Sequence, residues 1–136
     1  MTIPYVELHC HSGFSFLDGA SHPEELVMRA VELGYPALAL TDHNGLYGSM
    51  EFAQAARQAN LQPITGAEVT LRECFTGVDE PEGGHHVTLL AETPQGYANL
   101  CRLLTETHMH SERGDARLPL ESLLRLPEGL ILLTGC

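Results

Sequence analysis

Apolar residues along this chain fall into short runs that switch between a strand-like and a helix-like period. "YVELHC" (5–10) reads as a first strand. "PEELVMRAVELG" places Leu26, Val27, Ala30, Val31 and Leu33 on one broad face, a helix that should stop at Gly34. Ser21 and Glu24 have the spacing of a capping box, and Pro23 falls in the first turn, where proline is tolerated. "PALAL" (36–40) is a continuous apolar run of the kind buried on both faces. After the loop "TDHNGLYGS", a helix through "MEFAQAARQAN" should bury Phe52, Ala53, Ala56 and Ala59, and "QPITGAEVTL" (62–71) follows as a third strand.

Residues 72–84 are acidic and glycine-rich and read as a loop. "VTLLAE" is a fourth strand. Thr93-Pro94 starts a helix through "GYANLCRLLTETHMH", a polar segment precedes the short helix "LESLLRL", and "GLILLTGC" is the last strand. This alternation argues for an α/β fold with mainly parallel strands. It shows no internal repeat, linker or low-complexity segment. A buried strand ending on the last residue would have nothing to cover it. Residues 1–136 therefore read as one domain, the front portion of something longer.

Composition narrows the functional classes. The net charge is −11, and all 7 basic residues are arginines. Without lysine there is no Walker-type phosphate loop and no Schiff-base chemistry. So acidic a surface is a poor stand-alone platform for nucleic acid. DNA as a partner would need a basic surface elsewhere. Cys10, Cys74, Cys101 and Cys136 are widely spaced, with no Cys-x-x-Cys pair, and the N-terminus carries no secretory signal pattern. No run approaches the roughly 18 apolar residues of a membrane span. A reducing cytoplasm is expected, with the cysteines as free thiols or a ligand.

The chemistry collects where strands end. His9 and His11 close the first strand and, two residues apart, share a face, with Asp18 in the loop beyond. The second strand ends in Asp42 and His43. Glu68 interrupts an otherwise apolar third strand, and a buried carboxylate is costly unless it has a partner. His86 begins the fourth strand, so it can face the same site only if that strand returns antiparallel. Cys136 stands at the end of the last. Each has an ordinary reading: Asp18-Gly19 as a turn, Asp42 as a cap, Glu68 as a half-exposed strand acid, Cys136 as a small buried hydrophobe. His22, His85, His108 and His110 are taken as surface or capping residues. Arriving strand by strand, the others suit a site for more than one zinc, manganese or iron ion, able to activate water and clamp a phosphate ester.

With these residues in view, the chain resembles the polymerase-and-histidinol-phosphatase (PHP) domain of bacterial C-family DNA polymerases, from Tyr5 to Cys136. "LHCHSGFSFLDGAS", "ALTDHNGLYG" and "PITGAEVTL" are similar to the family's first three motifs, and "HVTLLAETPQGYANLCRLLT" and "EGLILLTGC" follow in order. "DGASHPEELV" and "RLPLESL" look most like the error-prone members, with the replicative α subunits next. The resemblance implies a distorted seven-stranded α/β barrel, of which this is the N-terminal part. It implies two to three divalent ions held by His9, His11, Asp18, His43, Glu68, His86 and Cys136, with Glu68 bridging. Asp42 has no ligand role in that pattern and should orient His43 or its loop. The family's later Asp-x-His pair and its polymerase core have no counterpart in these 136 residues. DNA and other replication or repair proteins would be met through the rest of a parent polymerase, with no membrane partner. Three readings stay open: a polymerase domain with 3′→5′ exonuclease-type chemistry, a free-standing metal-dependent phosphoesterase, and a non-catalytic structural module.

Overall fold

Pro23 decides where the first helix starts, because its fixed φ suits the first helical position and its missing N–H costs nothing there. In the computed structural model, which describes residues 4–72, 84–125 and 127–134, helix α1 runs Pro23–Glu32. The cap is thus His22, not Ser21, and the carboxylate that reaches back is Glu25, which accepts the His22 N–H at 2.8 Å. Val27 and Ala30 are buried, while Val31 and Leu33 stay largely exposed.

Strand β1 is Ala37–Leu40, α2 is Ser49–Gln58 and β2 is Gln62–Thr70. Then come β3 (His86–Ala91), α3 (Pro94–Met109), α4 (Leu120–Leu124) and β4 (Leu130–Leu133). They form one sheet in the order β1-β2-β3-β4. Only β1 and β2 pair in parallel, and β3 lies antiparallel to both β2 and β4. The expectation of mainly parallel strands therefore fails for the second half. Antiparallel neighbours need no helical crossover between them, and β3 returns to pair with β2 in that direction. That return sets His86 opposite Thr70, at the end of β2.

The first segment also departs from expectation. Glu7 makes only an isolated bridge to Leu38. Ala39 N–H donates to the Glu7 carbonyl and Thr41 N–H to that of Cys10. Between these bonds β1 advances two residues (39 to 41) and the first segment three (7 to 10), which is a β-bulge. Side chains take the amides that a regular ladder would use. Cys10 N–H donates to Thr41 Oγ1 at 3.0 Å and His9 N–H to Glu7 Oε1 at 3.0 Å. The extra residue leaves Glu7 and Cys10 lining the same cavity beside α1, with Leu26 and Leu38.

Two apolar clusters flank the sheet. Val27 and Ala30 of α1 and Phe52 and Ala56 of α2 pack on Leu38 and Leu40. Leu100, Leu103 and Leu104 of α3 and Leu123 of α4 cover Ala67, Val69, Val87 and Leu89. Full burial of each leucine stabilises the fold by about 1.5–3 kcal/mol. The other face of the sheet carries Glu68, Thr70, His86 and Thr88, which are opposed in register. Among the described residues no helix is long and apolar enough to cross a membrane.

Thr93 caps α3 by accepting the Gly96 N–H at 3.0 Å, beside Gly129, whose φ is 80°. A Cβ on Gly96 would collide with the Gly129 carbonyl, a backbone atom unable to swing aside. Gly96→Ala is accordingly expected to lower unfolding free energy by about 2–3 kcal/mol, read from the urea midpoint at constant slope.

Candidate metal centre

Five segments converge at one end of the sheet. The bulge between Glu7 and Cys10 takes in His9, and His9 and His11 stand edge to face with ring centroids 5.0 Å apart. His43 follows β1 in a parallel bridge to Glu68. His86 opens β3. Asp18 comes from a turn in which its N–H and that of Gly19 both donate to the Ser15 carbonyl. Gly19 is required there, since a Cβ would overlap the Ser12 carbonyl.

Glu68, only 5% exposed, lies at the centre. Its Oε1 is 3.0 Å from His43 Nδ1 and 3.1 Å from His86 Nδ1. Its Oε2 contacts His9 Nε2 and lies 3.3 Å from His11 Nε2. The half-exposed Asp18 contacts His11 Nδ1 and is 3.0 Å from His43 Nε2. Burial raises the Glu68 carboxyl, but hydrogen bonds from His43 and His9 and the charges of His43 and His11 outweigh it and bring it down to about 2. Glu68 thus stays ionised through the neutral range.

His11 and His43 each span both carboxylates, one ring nitrogen toward Glu68 and the other toward Asp18. A neutral imidazole has one N–H, so one nitrogen of each ring must aim a lone pair at a carboxylate oxygen. Two such repulsions are removed by double protonation or by cations lying between nitrogen and oxygen. His11 Nε2 is buried without a hydrogen-bond partner. The three groups His9–His11–Glu68, His11–Asp18–His43 and His43–Glu68–His86 each gather their donor atoms within 4.8 Å. The donor set of imidazole nitrogen and carboxylate oxygen fits zinc, manganese or iron.

Asp42 stands behind the cluster, fully buried. It accepts the Ser12 N–H at 2.7 Å, the Ser12 hydroxyl at 2.8 Å and the Ser15 hydroxyl at 2.7 Å. The Ser15 oxygen in turn accepts the His43 N–H at 3.1 Å. One carboxylate therefore ties the first loop to the second. Cys136 lies outside the described residues, as do Cys74 and most of the loop expected at 72–84.

Sequence reasoning passed over several supporting residues. Asn44 has a left-handed φ of 46°, which Asn tolerates. Its amide clasps Thr70 from both sides, donating to the hydroxyl and accepting the N–H, each at 3.0 Å. His108, taken as a surface residue, donates to the Asn44 carbonyl at 2.6 Å and pins α3 to the loop after His43. A polar residue directly after a candidate ligand was the available signal for Asn44. For His108 there was none, since its partner is 64 residues away.

The sequence profile of the PHP domain matches residues 7–136. An error-prone DNA polymerase of Cutibacterium acnes is 46% identical over 98% of this chain, which spans 12% of that protein's length. An amidohydrolase from Chromobacterium violaceum, solved with bound sulfate, superposes with a TM-score of 0.59 at 31% identity, covering 76% of this chain and 33% of its own. A Bifidobacterium adolescentis protein described as a metal-dependent phosphoesterase gives the same TM-score at 26% identity, with the same coverage of both chains.

Proposed function

This chain belongs to the PHP domain family, and on that premise we propose that it is the PHP domain of an error-prone DNA polymerase whose histidine–carboxylate cluster serves metal-dependent phosphodiester hydrolysis of the 3′→5′ exonuclease type. The observation that carries this reading is the placement of His11 and His43 between Glu68 and Asp18, which neutral imidazoles cannot satisfy on both sides. His9, His11, Asp18, His43, Glu68 and His86 would hold two to three zinc, manganese or iron ions, with Cys136 as a further ligand. When bound, such ions lower the pKa of water and neutralise charge on a phosphate ester.

The chain's own groups supply the rest. Glu68, with one oxygen toward His43 and His86 and the other toward His9 and His11, would serve two ions at once when they are bound. Asp18, half-exposed, is the most solvent-accessible of the described candidate ligands. Asp42 and Ser15 fix the backbone beneath His43, so its ring does not shift as ligands exchange. With a charge of −11 the chain is a poor DNA platform by itself, so DNA would be held mainly by other parts of a parent polymerase, working in the cytoplasm alongside other replication or repair proteins.

The test uses the purified chain, added manganese and a single strand labelled at its 3′ end. Weak, manganese-stimulated release of 3′ nucleotides is expected, and His43→Ala should abolish it. A metal-loaded chain that leaves the strand intact would place the domain as a structural module. The likeness to a protein described as a phosphoesterase favours a second reading, a free-standing enzyme for small esters. Turnover of p-nitrophenyl phosphate far above that of the strand would select it.

A further inference from the structure

The turn that delivers Asp18 also carries two side chains that folding does not reward. Phe16 is 85% exposed and Leu17 wholly so. Leu17 has a φ of 66°, a left-handed conformation that is strained for a residue with a Cβ and that neither packing nor a ligand role explains. The turn is held rigidly all the same. The Ser15 hydroxyl is tied to Asp42, its carbonyl takes the N–H groups of Asp18 and Gly19, and the Asp18 carboxylate rests on His11 and His43. Two adjacent apolar side chains are thus displayed in fixed position beside the cluster, at a cost to the fold.

We propose that Phe16 and Leu17 form an apolar lip that stacks on the nucleobase next to the phosphate bound at the cluster, a specificity element that rests on the phosphodiesterase reading above. Because Phe16 and Leu17 directly precede Asp18 in its turn, a phosphate ester held by ions at His11, Asp18 and His43 would have its flanking nucleoside next to them. The chain's charge also argues for a contact with the base face. With 18 acidic residues against 7 arginines, and with Arg29, Arg117 and Arg125 each paired to a carboxylate, the chain is poorly suited to hold a sugar-phosphate backbone by charge. A base always offers a π-face, and stacking on an aromatic ring is tolerant of sequence.

The experiment titrates the manganese-loaded chain into two single strands, one ending in 3′ 2-aminopurine and one ending in an abasic site. The wild type should quench the 2-aminopurine and bind that strand about tenfold more tightly than the abasic one. Phe16→Ala should erase both the quenching and the preference while keeping its metal content and melting temperature. Leu17→Gly, which removes the side chain and relieves the backbone, should weaken quenching and raise the melting temperature. Equal affinity of the wild type for the two strands, or a Phe16→Ala variant that still quenches, overturns the proposal. So does a Phe16→Ala variant whose only change is lost self-association in sedimentation, which would mark the lip as a protein contact. Failure of the wild type to bind manganese at all overturns the metal reading instead, and the base contact with it.

Discussion

Glu68→Gln is expected to release more than one equivalent of metal and to weaken what remains by about 100-fold or more, a larger loss than outer-sphere changes produce. The substitution keeps the side chain's volume but removes its charge and one carboxylate oxygen. In the structure those oxygens divide the work, Oε1 toward His43 and His86 and Oε2 toward His9 and His11. An amide cannot serve both sides as an anion, so two ion positions should fail together. Equilibrium dialysis followed by elemental analysis reads the stoichiometry. Loss of one ion with the others unaffected would make Glu68 an ordinary terminal ligand.

Asp42→Ala should be the most destabilising change near the site, lowering unfolding free energy by about 4 kcal/mol. The Ser12 N–H and the hydroxyls of Ser12 and Ser15 would lose their shared acceptor in a buried region. Each such hydrogen bond contributes about 1.5–3 kcal/mol, and the donors left behind are penalised for their burial. Asp42→Asn keeps the volume and one carbonyl acceptor, and should lose about half as much. Urea unfolding at constant slope measures both. Because Ser15 also holds the His43 N–H, manganese affinity should fall about 10- to 100-fold even in the folded fraction. An Asp42→Ala chain with unchanged midpoint would mean that the three donors find water instead.

The convergence of histidines and acids was legible because it rests on short-range rules. Residues that end strands meet at one edge of a sheet, and a carboxylate inside an apolar strand needs partners. The helices and the later strands were legible from apolar runs and period together with the proline, glycine and capping signals at their ends. What escaped depends on contacts between segments distant in sequence. The bulge between Glu7 and Cys10 arises because Thr41 takes an amide from across the sheet, and no local pattern in "YVELHC" records that. The antiparallel return of β3 depends on how 15 residues between strands travel, and composition there says only that they form a loop. Ser12 and Ser15 bind Asp42 from 30 and 27 residues away, which no local pattern records. The shift of the α1 cap from Ser21 to His22 is a lesson of another kind. Pro23 already marked the first helical position, and the cap is the residue before it.

The central claim is that Glu68 is shared between ions. Anomalous X-ray diffraction from manganese-loaded crystals, recorded above and below the manganese edge, tests it most directly. The account predicts at least two peaks among His9, His11, Asp18, His43, Glu68 and His86, with one Glu68 oxygen within bonding distance of each of two peaks. A single peak, or peaks that leave Glu68 bound only to histidines, would contradict it.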